Sequence, residues 1–235
     1  MVDVAPGLWE EIKRIFLEKI EGDAEIKKIL EKIDDGVASY EEAHEYALRI
    51  GKHASRALKK VLNAEVLPEG IMYFNIAERT VRPALEFDRE LVENVTIQIQ
   101  EDLNAAAGIG MKAVVPKRNE DRIEGIINRM CSETDFDKIR WIMGAPVETY
   151  SQSIVDDFVK ENAGYQYAAG LEPKIRRIVR GKGCQWCRDL EGVYDYADVN
   201  TTGEDVYRRH DNCTCIVTYD PGDGRRQDVH SKRWL

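Results

Sequence analysis

No stretch of this 235-residue chain approaches the roughly 18 consecutive apolar residues that a helix needs to span a bilayer, because Lys, Glu or Asp interrupts every candidate. A transmembrane helix is excluded, and no membrane partner is expected. Proline and glycine are scarce, at 7 and 17 residues, which with 43% hydrophobic content excludes collagen-like, mucin-like and disordered chains. The opening residues Met1-Val2-Asp3-Val4 carry no basic stretch followed by an apolar one, so the chain is expected inside a cell. Common catalytic motifs are missing too: there is no Gly-x-Ser-x-Gly, no phosphate-binding loop and no His-Glu-x-x-His. Gly108-Ile109-Gly110 lacks the rest of a dinucleotide fingerprint and reads as a helix terminator. His44 and His53 fall nine positions apart on one predicted helix, a spacing that shares no metal, and are expected to be surface or packing side chains.

What is present is charge, unevenly spread. The length suits one large domain or two modest ones, and the net charge is −9. Residues 171–235 hold 12 Lys and Arg against 11 Asp and Glu; of 34 basic and 43 acidic residues in all, 22 and 32 therefore lie in 1–170. We expect an acidic body over 1–170 and a near-neutral, Arg-rich module over 171–235. Basic groups stand at Lys174, Arg176, Arg177, Arg180 and Lys182, and again at Arg225, Arg226, Lys232 and Arg233. A solvated face accounts for such groups. If DNA phosphates are touched, Arg176, Arg177, Arg180, Arg208, Arg209, Arg225 and Arg226 are the candidates.

Periodicity sets the architecture. Leu8, Ile12, Ile15, Phe16 and Ile20 recur at threes and fours, as do Ile26, Ile29, Leu30 and Ile33, so helices are expected over 8–20 and 24–33. Ser39 followed by Glu42 is a capping-box spacing that opens a third helix over 40–62. After a turn at Pro68 and Gly70 the pattern is helical to Leu103, with a kink or break expected at Pro83. Residues 111–116 suggest a short strand, and 122–130, 137–143 and 148–164 suggest helices. Beyond Pro173 the pattern turns β-prone, around Ile175 to Val179, at 193–196 and at 216–219. The expected fold class is α+β: a mostly α-helical N-terminal body followed by a small α+β or β-rich Cys/His module.

Four of the 5 cysteines crowd into that module, as Cys184-Gln185-Trp186-Cys187 and His210-Asp211-Asn212-Cys213-Thr214-Cys215. The fifth, Cys131, lies on a predicted helical face and reads as a small buried apolar residue. Without a secretion signal a disulfide framework loses its compartment, and metal binding becomes the better account. A Cys-x-x-Cys turn offers two thiolates to one ion, and a second group from a distant segment completes a tetrahedron, the arrangement of structural zinc. Cys184, Cys187, His210, Cys213 and Cys215 compete for four places. Strand alternation puts Cys213 and Cys215 on one side, which favours Cys₄ with His210 nearby, while Cys₃His stays open. A redox pair ranks lower, because a thioredoxin-type motif belongs at a helix start within a βαβ unit, which the flanking sequence does not suggest. A zinc site with an open catalytic position is the remaining alternative.

These residues carry a resemblance. Gly183-Cys184-Gln185-Trp186-Cys187, then Leu190-Glu191-Gly192-Val193-Tyr194, the run Val206 to Cys215, and Tyr219-Asp220-Pro221-Gly222-Asp223-Gly224 resemble the Mu F-like head morphogenesis family, the minor head proteins of tailed phages of Gram-positive bacteria. Residues 67–77 and Val155-Asp156-Asp157 are also similar to that group, so the likeness runs from about Tyr40 onward. It implies a low-copy virion component. Such a protein enters the procapsid with the portal protein in the host cytoplasm and lies at the head interior or portal vertex, near packaged DNA. The family pattern usually has Arg where this chain has Thr214, which removes one positive charge from a DNA contact and leaves the metal reading unchanged. The rival function is a zinc-dependent nuclease or toxin-like enzyme using His210 beside the cysteines, since domains of this type are also joined to toxin modules. A zinc-ribbon nucleic-acid adaptor would need a larger basic surface.

Overall fold

Apolar residues at threes and fours wind into helices. In the computed structural model, which describes residues 3–222, these are α1 (Ala5–Glu21), α2 (Ala24–Asp34), α3 (Tyr40–Val61), α4 (Phe74–Ala106), α5 (Glu120–Met130) and α6 (Ala145–Ala168). Asp23 starts α2 by accepting from the Glu25 and Ile26 N–H groups, and it also pairs with Arg49 and His53 of α3. Ser39 and Glu42 form the expected capping box. The chain closes with β1 (Lys174–Ile178), a short α7 (Gln185–Asp189), β2 (Gly192–Asp195) and β3 (Ile216–Asp220), an antiparallel sheet ordered β2-β1-β3. The fold is α+β. No helix among the described residues is long and apolar enough to cross a membrane.

The sheet lies on α3 and α6. Ile175 of β1 and Val217 of β3 belong to the same buried cluster as Phe16, Leu58, Leu85 and Phe158 of the helices. Burying each side chain of that size contributes about 1.5–3 kcal/mol. The second buried cluster is small: Cys187, Cys213 and Cys215 under Val179 and Trp186. Gly51 of α3 marks a close approach to α6, since a Cβ there would stand 2.4 Å from Ser151 Oγ and 2.9 Å from Glu148 Cα.

Four sequence expectations change. Pro83 neither breaks nor ends α4, because Val81, Ala84 and Leu85 on either side stay buried and hold both halves to one core. Residues 111–116 form no strand and pair with none; the Asn162 side chain of α6 bonds their backbone instead, accepting from Val114 N–H and donating to its carbonyl. Residues 137–143 form two 3₁₀ turns, Phe136–Lys138 and Arg140–Met143, instead of one helix. Helix α6 runs past Gly164, whose missing Cβ makes room for the Tyr196 hydroxyl.

One buried acid makes stability depend on pH. Asp88 of α4 is fully buried and accepts from Ser151 Oγ at 2.6 Å, while its Oδ1 has no partner. Burial pushes its carboxyl up to about 8, so the folded protein holds it neutral at pH 7. The unfolded chain releases that proton near pH 4, so Asp88 favours folding below that value and loses this contribution as pH rises towards 8. Asp88→Asn is expected to flatten the stability profile between pH 4 and 8, measured by urea unfolding at each pH. An unchanged slope would contradict the neutral buried acid.

Candidate metal centre

Two tight turns assemble the cysteine site. At the first, Cys184 caps α7, its Sγ accepting from Cys187 N–H at 3.4 Å, so the Cys-x-x-Cys pair curls around one helical turn. At the second, Cys213 N–H reaches the His210 carbonyl at 3.1 Å, with Asn212 in the left-handed region at φ 60°, a conformation asparagine tolerates well. Strand β3 begins only at Ile216, so Cys213 and Cys215 sit in its lead-in and not on the regular strand. The helix start required of a thioredoxin-type motif is present, but α7 joins antiparallel β1 and β2, so no βαβ unit surrounds it.

The donors converge in two groups that share Cys187: Cys184, Cys187 and His210, and Cys187, Cys213 and Cys215, each within 4.8 Å. His210 Nε2 stands 2.9 Å from Cys187 Sγ and 3.2 Å from Cys184 Sγ. Its Nδ1 donates to the Asp211 carbonyl at 2.7 Å, which leaves the Nε2 lone pair directed at the sulfurs. Cys187 and Cys213 Sγ are 3.8 Å apart, the edge length of a tetrahedron with arms of about 2.3 Å. These side chains could hold a metal ion. Cys213 is held below the usual thiol range by a hydrogen bond from Cys215, with Arg209 and Arg177 adding to the effect.

Two arginines expected at a DNA surface are instead inside. Arg177 is 1% exposed: period-two alternation turns it to the same face as Ile175, where Nη1 donates to the Val206 and Arg208 carbonyls at 2.6 and 2.9 Å. Its Nη2 lies 3.9 Å from Cys187 Sγ and 3.7 Å from Cys213 Sγ, and its guanidinium packs 5.1 Å from the Trp186 ring centre. The Arg209 side chain is fully buried and clamps Asp156 of α6 with Nε and Nη2, while Nη1 reaches Gln152 and the Cys215 carbonyl. Both are consumed by the fold. Arg176, Arg180 and Arg208 remain exposed, with Arg180 paired to Glu41 and Arg208 to Asp205. Arg225 and Arg226, with Lys232 and Arg233, lie outside the described residues.

Both histidines of α3 are buried. Arg209 donates to His44 Nδ1 at 3.2 Å, so the neutral ring carries its proton on Nε2 and gives it to the Val217 carbonyl at 2.7 Å, closing the outer edge of β3. Burial, with Arg209 beside it, lowers His44 to about 4 and keeps it neutral. Cys131 is half-buried and caps the end of α5. Sequence reading missed Arg177, Arg209, Asp156 and His44 as a support for the site. Alternation along β1 was a usable signal for Arg177; nothing in sequence linked Arg209 to α6. Comparisons of the chain with protein-family models, curated proteins and solved structures return no match.

Proposed function

We propose that the chain is a structural protein of the tailed-phage head, entering the procapsid with the portal protein, and that its C-terminal module is held together by zinc. The observation that carries this reading is that the residues of the resemblance are the ones that converge: Cys184, Cys187, His210, Cys213 and Cys215 meet from two segments. The similar segment Val155-Asp156-Asp157 contributes the carboxylate that clamps Arg209, next to His210. Thiolate and imidazole donors, with two sulfurs at a tetrahedral edge, suit zinc, which would fix the two turns. His210 favours the structural role over the enzyme alternative, since its Nδ1 is tied to a backbone carbonyl and its Nε2 lies between two sulfurs. Packaged DNA, if touched, meets Arg176, Arg180 and Arg208. The acidic body, repelled by phosphate, turns to protein.

Co-expression with the portal and major head proteins of the same genome tests the reading. The chain is expected in purified procapsids in few copies, and only when the portal protein is present. Procapsids that exclude it while a portal pull-down also fails would overturn the head assignment.

A further inference from the structure

We propose that the ion is held by Cys184, Cys187, His210 and Cys213, with Arg177 as a built-in counter-charge and Cys215 left as an unligated thiol. This inference rests on the metal reading above and specifies its ligand set. Two donor groups share Cys187, one adding Cys184 and His210 and the other Cys213 and Cys215, so four places are filled from five side chains. His210 Nε2 is nearer to Cys187 and Cys184, at 2.9 and 3.2 Å, than any two sulfurs are shown to be to each other, and its Nδ1 hydrogen bond fixes the tautomer a ligand needs. Cys213 adds the 3.8 Å edge to Cys187. Cys215 lies within 4.8 Å of Cys187 and Cys213 and also borders a groove with His44, Leu48 and Gln152, at the contact between the module and the helices.

Charge decides the same way. Arg177 is buried, and its partners among the described residues are two carbonyls, two sulfurs and the Trp186 ring, with no carboxylate in reach of an ion pair. Arg209, by contrast, is neutralised by Asp156. A buried cation without an anion is strongly unfavourable, so the anion facing Arg177 has to be the centre itself. A divalent ion with three thiolates and a neutral imidazole carries −1, which Arg177 cancels. Four thiolates would carry −2 and leave the interior charged. Arg177 is thus a positioning residue that lowers the cost of gathering thiolates, through N–H···S bonds to Cys187 and Cys213.

Cobalt(II) titration of the full chain, followed by absorption, tests the ligand set and Arg177 separately. Wild type is expected to show the ligand-field and thiolate-to-metal charge-transfer bands of an S₃N centre. Cys215→Ser should keep both spectrum and affinity, whereas Cys213→Ser should lose one thiolate's share of the charge-transfer intensity and His210→Ala should shift the ligand-field bands. Arg177→Met should weaken cobalt affinity by about 10–100-fold and move the charge-transfer energy, with Arg177→Lys restoring much of both. A Cys215→Ser variant that loses a thiolate while His210→Ala leaves the bands unmoved would overturn the ligand set. Equal affinity in wild type and Arg177→Met, or an Arg177→Lys variant no better than a misfolded Arg177→Met, would overturn the counter-charge. Failure of wild type to bind cobalt at all would remove the metal reading beneath both.

Discussion

Replacing Cys187 by Ser is expected to abolish metal retention and to melt the C-terminal module while the helices stay folded. Cys187 is the donor common to both groups, so its loss leaves each group with two donors in place of three. The module has little else of its own: the cluster beneath the site consists of the three buried cysteines with Val179 and Trp186. Metal binding is therefore folding energy there, on the order of 10 kcal/mol for structural zinc in small domains. The helices keep a much larger core, with Phe16, Leu58 and Phe158 fully buried, and Ile175 and Val217 of the sheet are part of it. Limited proteolysis with mass spectrometry should show cleavage confined to residues 179–215, at nearly unchanged helical circular dichroism. Protection of that segment in the variant would contradict a metal-held module.

The second large effect is expected at Asp156. Asp156→Ala leaves the fully buried Arg209 guanidinium without its carboxylate, a change that costs about 3–5 kcal/mol when a buried ion pair loses one member. Replacing both, as Asp156→Leu with Arg209→Met, should recover most of that loss, because apolar side chains of similar size need no partner. Urea unfolding of the single and double variants measures both. The clamp also bears on the metal: Arg209 points to α6 while its neighbour His210 points to the sulfurs, so one backbone segment serves both. Asp156→Ala should accordingly weaken metal affinity without touching a ligand, whereas a stability change of less than about 1 kcal/mol would place Arg209 among ordinary exposed pairs.

Local signals in the sequence were reliable where one element decides its own structure. The Ser39–Glu42 box, the apolar spacing of α1 and α2 and the three β-prone stretches each reappear as expected, since capping and amphipathicity are properties of a few neighbouring residues. The break expected at Pro83 does not occur, because packing of α4 outweighs the loss of one helical hydrogen bond. Residues 111–116 misled because their backbone needs partners, and here side chains supply them, Asn104 at Met111, Asn162 at Val114 and Arg89 at Pro116. At the site, spacing alone singled out the five side chains that the fold brings together. The support around them was not legible: an arginine in a basic run looks like a DNA contact until tertiary structure shows Arg177 under two sulfurs and Arg209 against Asp156. Cys213 and Cys215 precede β3, yet they still alternate with the exposed Thr214 and turn to the same side, within reach of Cys187, as strand alternation led one to expect.

The most direct test of the account is the metal content of the full chain purified without added metal, by elemental mass spectrometry, together with its free-thiol count. One zinc per chain, with the thiols of the module becoming reactive only after chelation, is the predicted result. A metal-free chain whose module thiols react at once, at unchanged protection from protease, would contradict it.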